Sequence, residues 1–148
     1  MKNTLSRITG ILALAFLATT QVARAQEPVV ANIPFQFTAA EMTLPAGEYR
    51  VQESAQGSFM LLIQRTDRTA ATFVMSNAVE VNRPQAHSKL IFHRYGNRYY
   101  LSQIWVEGHS RGKELAPSSK EKEQQGLLAR NEAPDQVTIV ARLMSPKP

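Results

Sequence analysis

Three histidines, His87, His93 and His109, are the side chains in this sequence best suited to hold a metal or carry a proton at neutral pH. A zinc site takes three or four ligands that converge at short range. His87 and His93 lie six residues apart, which in an extended segment puts them on one face but about 20 Å from each other. The chain has no cysteine to complete a ligand set. The spacing therefore predicts no metal site. A serine nucleophile needs a base within hydrogen-bond reach, ideally on an elbow such as G-x-S-x-G. His109 and Ser110 are neighbours inside Gly108-His109-Ser110-Arg111-Gly112, and sequence adjacency seldom gives that geometry. Glu121 and Glu123 fall in the charged run Lys120 to Glu123, which reads as the wet first turn of a helix. No catalytic residue and no cofactor is predicted.

One group of residues has the composition of a binding surface. His93, Arg94, Tyr95, Arg98, Tyr99 and Tyr100 gather around one hairpin tip, where aromatic planes and cations could stack on sugars or hold an anionic glycan. The plainer explanation takes precedence: cross-strand pairs of these types stabilise a hairpin by about 0.2 to 1 kcal/mol each. Gln103 is a candidate polar position in the core, because its predicted side is otherwise apolar and a buried amide requires partners.

These residues need strands to position them, and the pattern from Val29 onward has a period of two. The clearest hairpin runs from Lys89 to Val106 and turns at Gly96-Asn97. It pairs Arg94 with Tyr99, Phe92 with Leu101 and Leu90 with Gln103, with Trp105 on the same, core-facing side. The opposite face carries Tyr95 by Arg98, His93 by Tyr100, Ile91 by Ser102 and Lys89 by Ile104. Upstream, Ile33, Phe35 and Phe37 alternate with polar residues as a first strand, with Pro34 at an edge or bulge. Thr43 to Gly47 reads as a turn, and Tyr49 and Val51 begin a second strand. Phe59 to Arg65 and Thr69 to Val81 form a hairpin joined at Thr66-Asp67-Arg68. There Leu62 faces Phe73, Met60 faces Met75, Leu61 faces Val74 and Ile63 faces Thr72. Both of its faces are apolar, which predicts a central place in the sheet. Asn82 to Ala86 and the segment between Gly108 and Gly112 read as loops. Ser118 and Glu121 match a capping box that starts a helix from about Ser119 to Arg130, with Gly126 weakening it. Val137 to Leu143 closes as a last strand. The sum is an all-β, mainly antiparallel fold: a small sandwich or closed barrel of about seven to eight strands, with one short C-terminal helix before the last strand. Its interior should be filled by Phe35, Phe37, Leu62, Phe73, Phe92 and Trp105.

The amino terminus points to a compartment. Lys2 and Arg7 precede an uncharged run from Ile8 to Thr20, and Ala23-Arg24-Ala25 follows, which is the order of a secretory signal with cleavage after Ala25. Residues 1–25 are read as the signal peptide and 26–148 as a single β domain. The apolar run is shorter than the roughly 20 residues that span a bilayer, which speaks against an uncleaved anchor, and no stretch after Ala25 is long and apolar enough for a spanning helix, so no membrane span is expected after signal removal. Processing removes three of the 17 basic residues and no acid, leaving 14 bases against 12 acids. That balance and the compartment speak against nucleic acid as a partner. An outer-membrane barrel ranks lower, because the segments are mostly short of the 9 to 11 residues such strands need and the ending Ser145-Pro146-Lys147-Pro148 lacks an aromatic terminus.

Residues 32 to 51, N-I-P-F-Q-F-T-A-A-E-M-T-L-P-A-G-E-Y-R-V, together with K-L-I-F-H-R-Y-G-N-R-Y-Y-L-S-Q-I-W at 89 to 105, resemble a group of uncharacterised exported bacterial proteins. The resemblance implies export and assigns no residue a role. The combined expectation is a periplasmic or secreted, non-catalytic β domain with a binding or structural role. A lipocalin-like carrier of a small apolar ligand is the first alternative and an enzyme of unknown class the second. The partners weighed are an envelope glycan, another envelope protein and an apolar small molecule.

Overall fold

The computed structural model describes residues 27–55 and 57–144; the expected signal peptide, residues 1–25, lies outside the described residues. Eleven strands and one helix follow in the order β1 (Val29–Ile33), β2 (Phe37–Ala39), β3 (Met42–Leu44), β4 (Gly47–Glu53), β5 (Met60–Arg65), β6 (Ala71–Glu80), β7 (Lys89–Tyr95), β8 (Arg98–Trp105), β9 (Arg111–Leu115), α1 (Ser119–Leu127), β10 (Asp135–Val140) and β11 (Arg142–Leu143). They form one mixed sheet, ordered β10-β7-β8-β9-β6-β5-β4-β1-β11. All its ladders are antiparallel except β2 on β8, which is parallel at Thr38 and Tyr100. The sheet curls around one core and is not closed by a ladder. Its two ends, β10 and β11, are consecutive pieces of one segment that leaves β7 and joins β1 at Ala141. The all-β, sandwich- or barrel-like class expected from the pattern is what the chain adopts. Among the described residues no helix is long and apolar enough to cross a membrane.

The strand count exceeds the expected seven or eight because bends split some runs and one loop is a strand. Ile33 and Phe37 do not share a strand: Pro34 has no N–H to offer a ladder, and the chain bends so that β1 pairs with β4 while β2 crosses to β8. The expected turn at Thr43 comes earlier. Ala40, at φ 50, turns the chain tightly enough to pair Ala39 with Met42. Arg111–Leu115, read as loop and polar connection, is β9 and joins β6 to β8. The helix ends at Leu127, three residues short of expectation.

The β5–β6 hairpin has the expected register, with Leu62 opposite Phe73 and Leu61 opposite Val74. Only one of its faces is inside. Leu61, Ile63 and Val74 are buried, whereas Phe73 is 60% and Met75 64% exposed, so Leu62 and Phe73 do not fill the interior. A single curled sheet has one inner face, and the apolar outer face of this hairpin is left in solvent. Its turn carries Arg68 at φ 63, a left-handed conformation that costs an L residue about 1 to 2 kcal/mol. Arg68→Gly removes that cost and adds chain entropy to the unfolded state. The net expectation is a gain of about 0.5 to 1 kcal/mol in unfolding free energy, read from urea denaturation.

Aromatic rings pack the middle of the core. Phe37 lies edge-on to both Tyr49 (5.1 Å) and Phe92 (5.5 Å), and Phe35 edge-on to Phe92 (5.1 Å). Tyr49 is fully buried and donates its hydroxyl to the Pro45 carbonyl at 2.7 Å, which fastens the L-P-A-G-x-Y corner. Burial pushes the Tyr49 phenol above its usual range, and the same cause raises Tyr95. A phenol that holds its proton more tightly when folded contributes stability that is complete below the unfolded value near pH 10 and is lost as pH rises through the folded one. Unfolding free energy should therefore fall with pH above about 10. Tyr49→Phe should flatten part of that fall, as measured by denaturation across an alkaline pH series.

Candidate functional site

The strand ends on one side of the sheet surround a cleft of about 760 Å³. The start of β1, the end of β4, the start of β5, the end of β6, the end of β8 and the start of β9 all open onto it. Val29, Val51, Leu61 and Ile104, each nearly inaccessible to solvent, give it an apolar floor continuous with the core. The aromatic cluster fills the middle of the molecule, and at this end the floor is aliphatic.

Its wall is pinned by one ion pair. Lys113 on β9 meets Glu53 on β4 at 2.9 Å, although β6 and β5 stand between those strands in the sheet. Both side chains are largely buried. The Lys113 ammonium also donates to the Ser58 carbonyl at 3.3 Å and sits 5.9 Å from the Phe59 ring centre. The second Glu53 oxygen accepts from the Gly57 amide at 2.9 Å. These contacts tie β9 to β4 across the cleft. At the mouth, Glu80 and Arg111 face each other loosely at 3.8 Å and are both mostly exposed. His109 turns its Nδ1 to the Glu107 carbonyl at 3.0 Å, not to Ser110. Among the described residues no cluster of three His, Asp or Glu side chains could hold a metal ion.

No family model, curated protein or solved structure matches this chain. The site is accordingly read from its own geometry.

The hairpin strip expected as one ligand surface is divided. Arg94 and Tyr99 lie toward the core side, Arg94 bonded to Asp135 at 2.8 Å and Tyr99 stacked on Phe35 at 3.8 Å. His93 and Tyr95 lie on the opposite face and bond Glu121 of α1, Tyr100 is buried beside Tyr95, and Arg98 alone is well exposed. The pleat sends alternate residues to opposite faces, and the helix then covers one of them. Gln103 is not a core position either. A bulge between Ile91 and Phe92 makes Ser102 an extra residue, so Leu90 faces Ile104 and Ile91 faces Gln103. Past the bulge the faces exchange. Ile104 joins the core cluster, while Gln103 leaves it and Trp105, still buried at 4% exposure, packs on the other face of the sheet. Gln103 bonds Glu114 at 3.1 Å and accepts from the Trp105 indole at 3.0 Å.

Two features of the structure are not marked in the sequence. The cleft draws residues from six strands, which no local spacing can reveal. Glu121, taken for a solvated helix residue, is buried: its Oε1 accepts from Tyr95 at 3.1 Å and lies 2.7 Å from His93 Nδ1. Its place three residues after Ser118 was a signal. A capping-box glutamate normally turns back to the cap amide, and this one reaches to the hairpin instead.

Proposed function

We propose that this chain is an exported, non-catalytic β domain that binds a small amphipathic molecule in the open-ended cleft, in the periplasm or outside the cell. The observation that carries the reading is the cleft itself. Its volume of about 760 Å³ falls within the roughly 300 to 1,000 Å³ of small-molecule sites, and an apolar floor under a polar rim is their usual construction. The floor suits an apolar body, and Glu27, Glu80, His109 and Arg111 at the rim suit a polar head. The basic, apolar, small-residue order of residues 1–25 and the absence of cysteine support export without lipidation. A carrier with an enclosed chamber fits less well, because Phe37, Tyr49 and Phe92 occupy the place such a chamber would take.

Native mass spectrometry of the mature protein, purified from its own envelope, tests the reading. A small molecule should accompany the wild-type chain. Ala78→Trp places a ring in the cleft from an accessible position on β6 and should arrive bare while keeping its melting temperature. A wild-type chain that carries nothing would overturn the proposal.

A further inference from the structure

We propose that helix α1 is a detachable cover over the His93, Tyr95 and Tyr100 face of the β7–β8 hairpin, latched by the carboxylate of Glu121. This cover lies at the opposite end of the hairpin from the cleft and does not depend on a ligand there.

The helix is attached almost without apolar contact. Of Ser119–Leu127 only Glu121 is buried, and Leu127, its one large apolar residue, is 79% exposed. No strand runs closely along it. Nine residues that are polar all round do not hold a helix in water by themselves, so the attachment must come from specific polar bonds. There are few of them. Ser118 Oγ accepts from the Glu121 amide at 3.1 Å, and Glu41 accepts from the Ser119 amide at 2.8 Å and from its hydroxyl at 3.1 Å. Glu121 then reaches down to His93 at 2.7 Å and Tyr95 at 3.1 Å. These act on the first turn, and Gln125 in the last turn adds one side-chain hydrogen bond to Tyr95.

Beyond the Gln125 bond the far end of the helix is held lightly. A gap of about 380 Å³ separates Arg94, Tyr95 and Gly96 at the hairpin tip from Leu128 and the Glu132 to Pro134 segment that follow the helix. Gly126 sits in the last turn with open space where a side chain would be. Lifting α1 therefore breaks a handful of hydrogen bonds and, apart from the tyrosine rings beneath it, exposes little apolar surface. Segments built in this way open locally, well below the free energy of global unfolding. Under the helix, Tyr95 and Tyr100 form an edge-on pair at 5.6 Å that does not need α1 to persist. Opening thus presents a formed aromatic face with an imidazole beside it.

Hydrogen exchange read by mass spectrometry on the mature chain, combined with tetranitromethane nitration of tyrosines, tests the latch. In the wild type the α1 amides should exchange about 100-fold faster than those of β7 and β8. Glu121→Ala should speed α1 exchange by a further tenfold or so and make Tyr95 and Tyr100 reactive, with strand protection and unreactive Tyr49 unchanged. Gly126→Ala, which meets no obstacle, should slow α1 exchange about fivefold. Three results would each overturn the proposal: α1 as protected as the strands in the wild type, α1 exchange indifferent to Glu121→Ala, or α1 and the strands losing protection together.

Discussion

Phe92→Ala should lower the unfolding free energy by about 3 to 5 kcal/mol, the range for deleting a buried aromatic ring from a core that relaxes incompletely. Phe92 is fully buried and holds its edge-on contacts with Phe35 and Phe37, and Phe37 in turn meets Tyr49. A domain of this size is stable by roughly 5 to 15 kcal/mol, so the loss would bring it near its threshold. Urea denaturation gives the value directly. The informative control is Phe73→Ala on the outer face of the β5–β6 hairpin. Phe73 is 60% exposed, and its removal should change stability by less than about 0.5 kcal/mol. Equal costs for the two variants would mean that the inner and outer faces have been assigned wrongly.

The second large effect is expected at Gly112. A Cβ there would stand 2.7 and 2.8 Å from two ring carbons of Trp105 and 2.9 Å from the Ile104 carbonyl. The indole cannot easily move aside, because its N–H is bonded to Gln103, which is bonded to Glu114 on the same strand as Gly112. Gly112→Ala should therefore cost about 1 to 3 kcal/mol, as overpacking does in a tight site. Trp105 is the chain's single tryptophan, so the strain reports itself as a shift in intrinsic emission alongside the fall in melting temperature. Gly112 and Ile104 also line the cleft, and the same variant should weaken whatever binds there. Unchanged emission and unchanged melting would show that the ring has room the contacts do not suggest.

Some of this architecture was legible before any coordinates. The β5–β6 pairing is correct to the residue because a short turn sets a hairpin's register. The tip of β7–β8 is correct for the same reason, from Tyr95 with Arg98 back to Phe92 with Leu101. The helix start follows from Ser118 and Glu121, whose cap bond is a local property. In each case the partners are close in sequence.

Where partners come from afar, the local pattern does not mark them. One extra residue at Ser102 exchanged the two faces beyond it, moved Gln103 and the still-buried Trp105 off the central cluster and brought Ile104 in; nothing in the alternation marks a bulge. Apolar residues on both faces of the β5–β6 hairpin suggested two buried faces, yet the sheet has a single inner side. Glu121 looked solvated until the hairpin came up beneath it.

The sequence by itself determined that this is a cysteine-free β fold with short antiparallel pairs and a capped helix before the last strands, since side-chain period and turn chemistry act over a few residues. Only the tertiary structure decided which face is inside, where six strand ends leave a cleft, and that one carboxylate anchors a helix. Those features depend on the curl of the whole sheet, which brings together residues tens of positions apart and which no local pattern encodes.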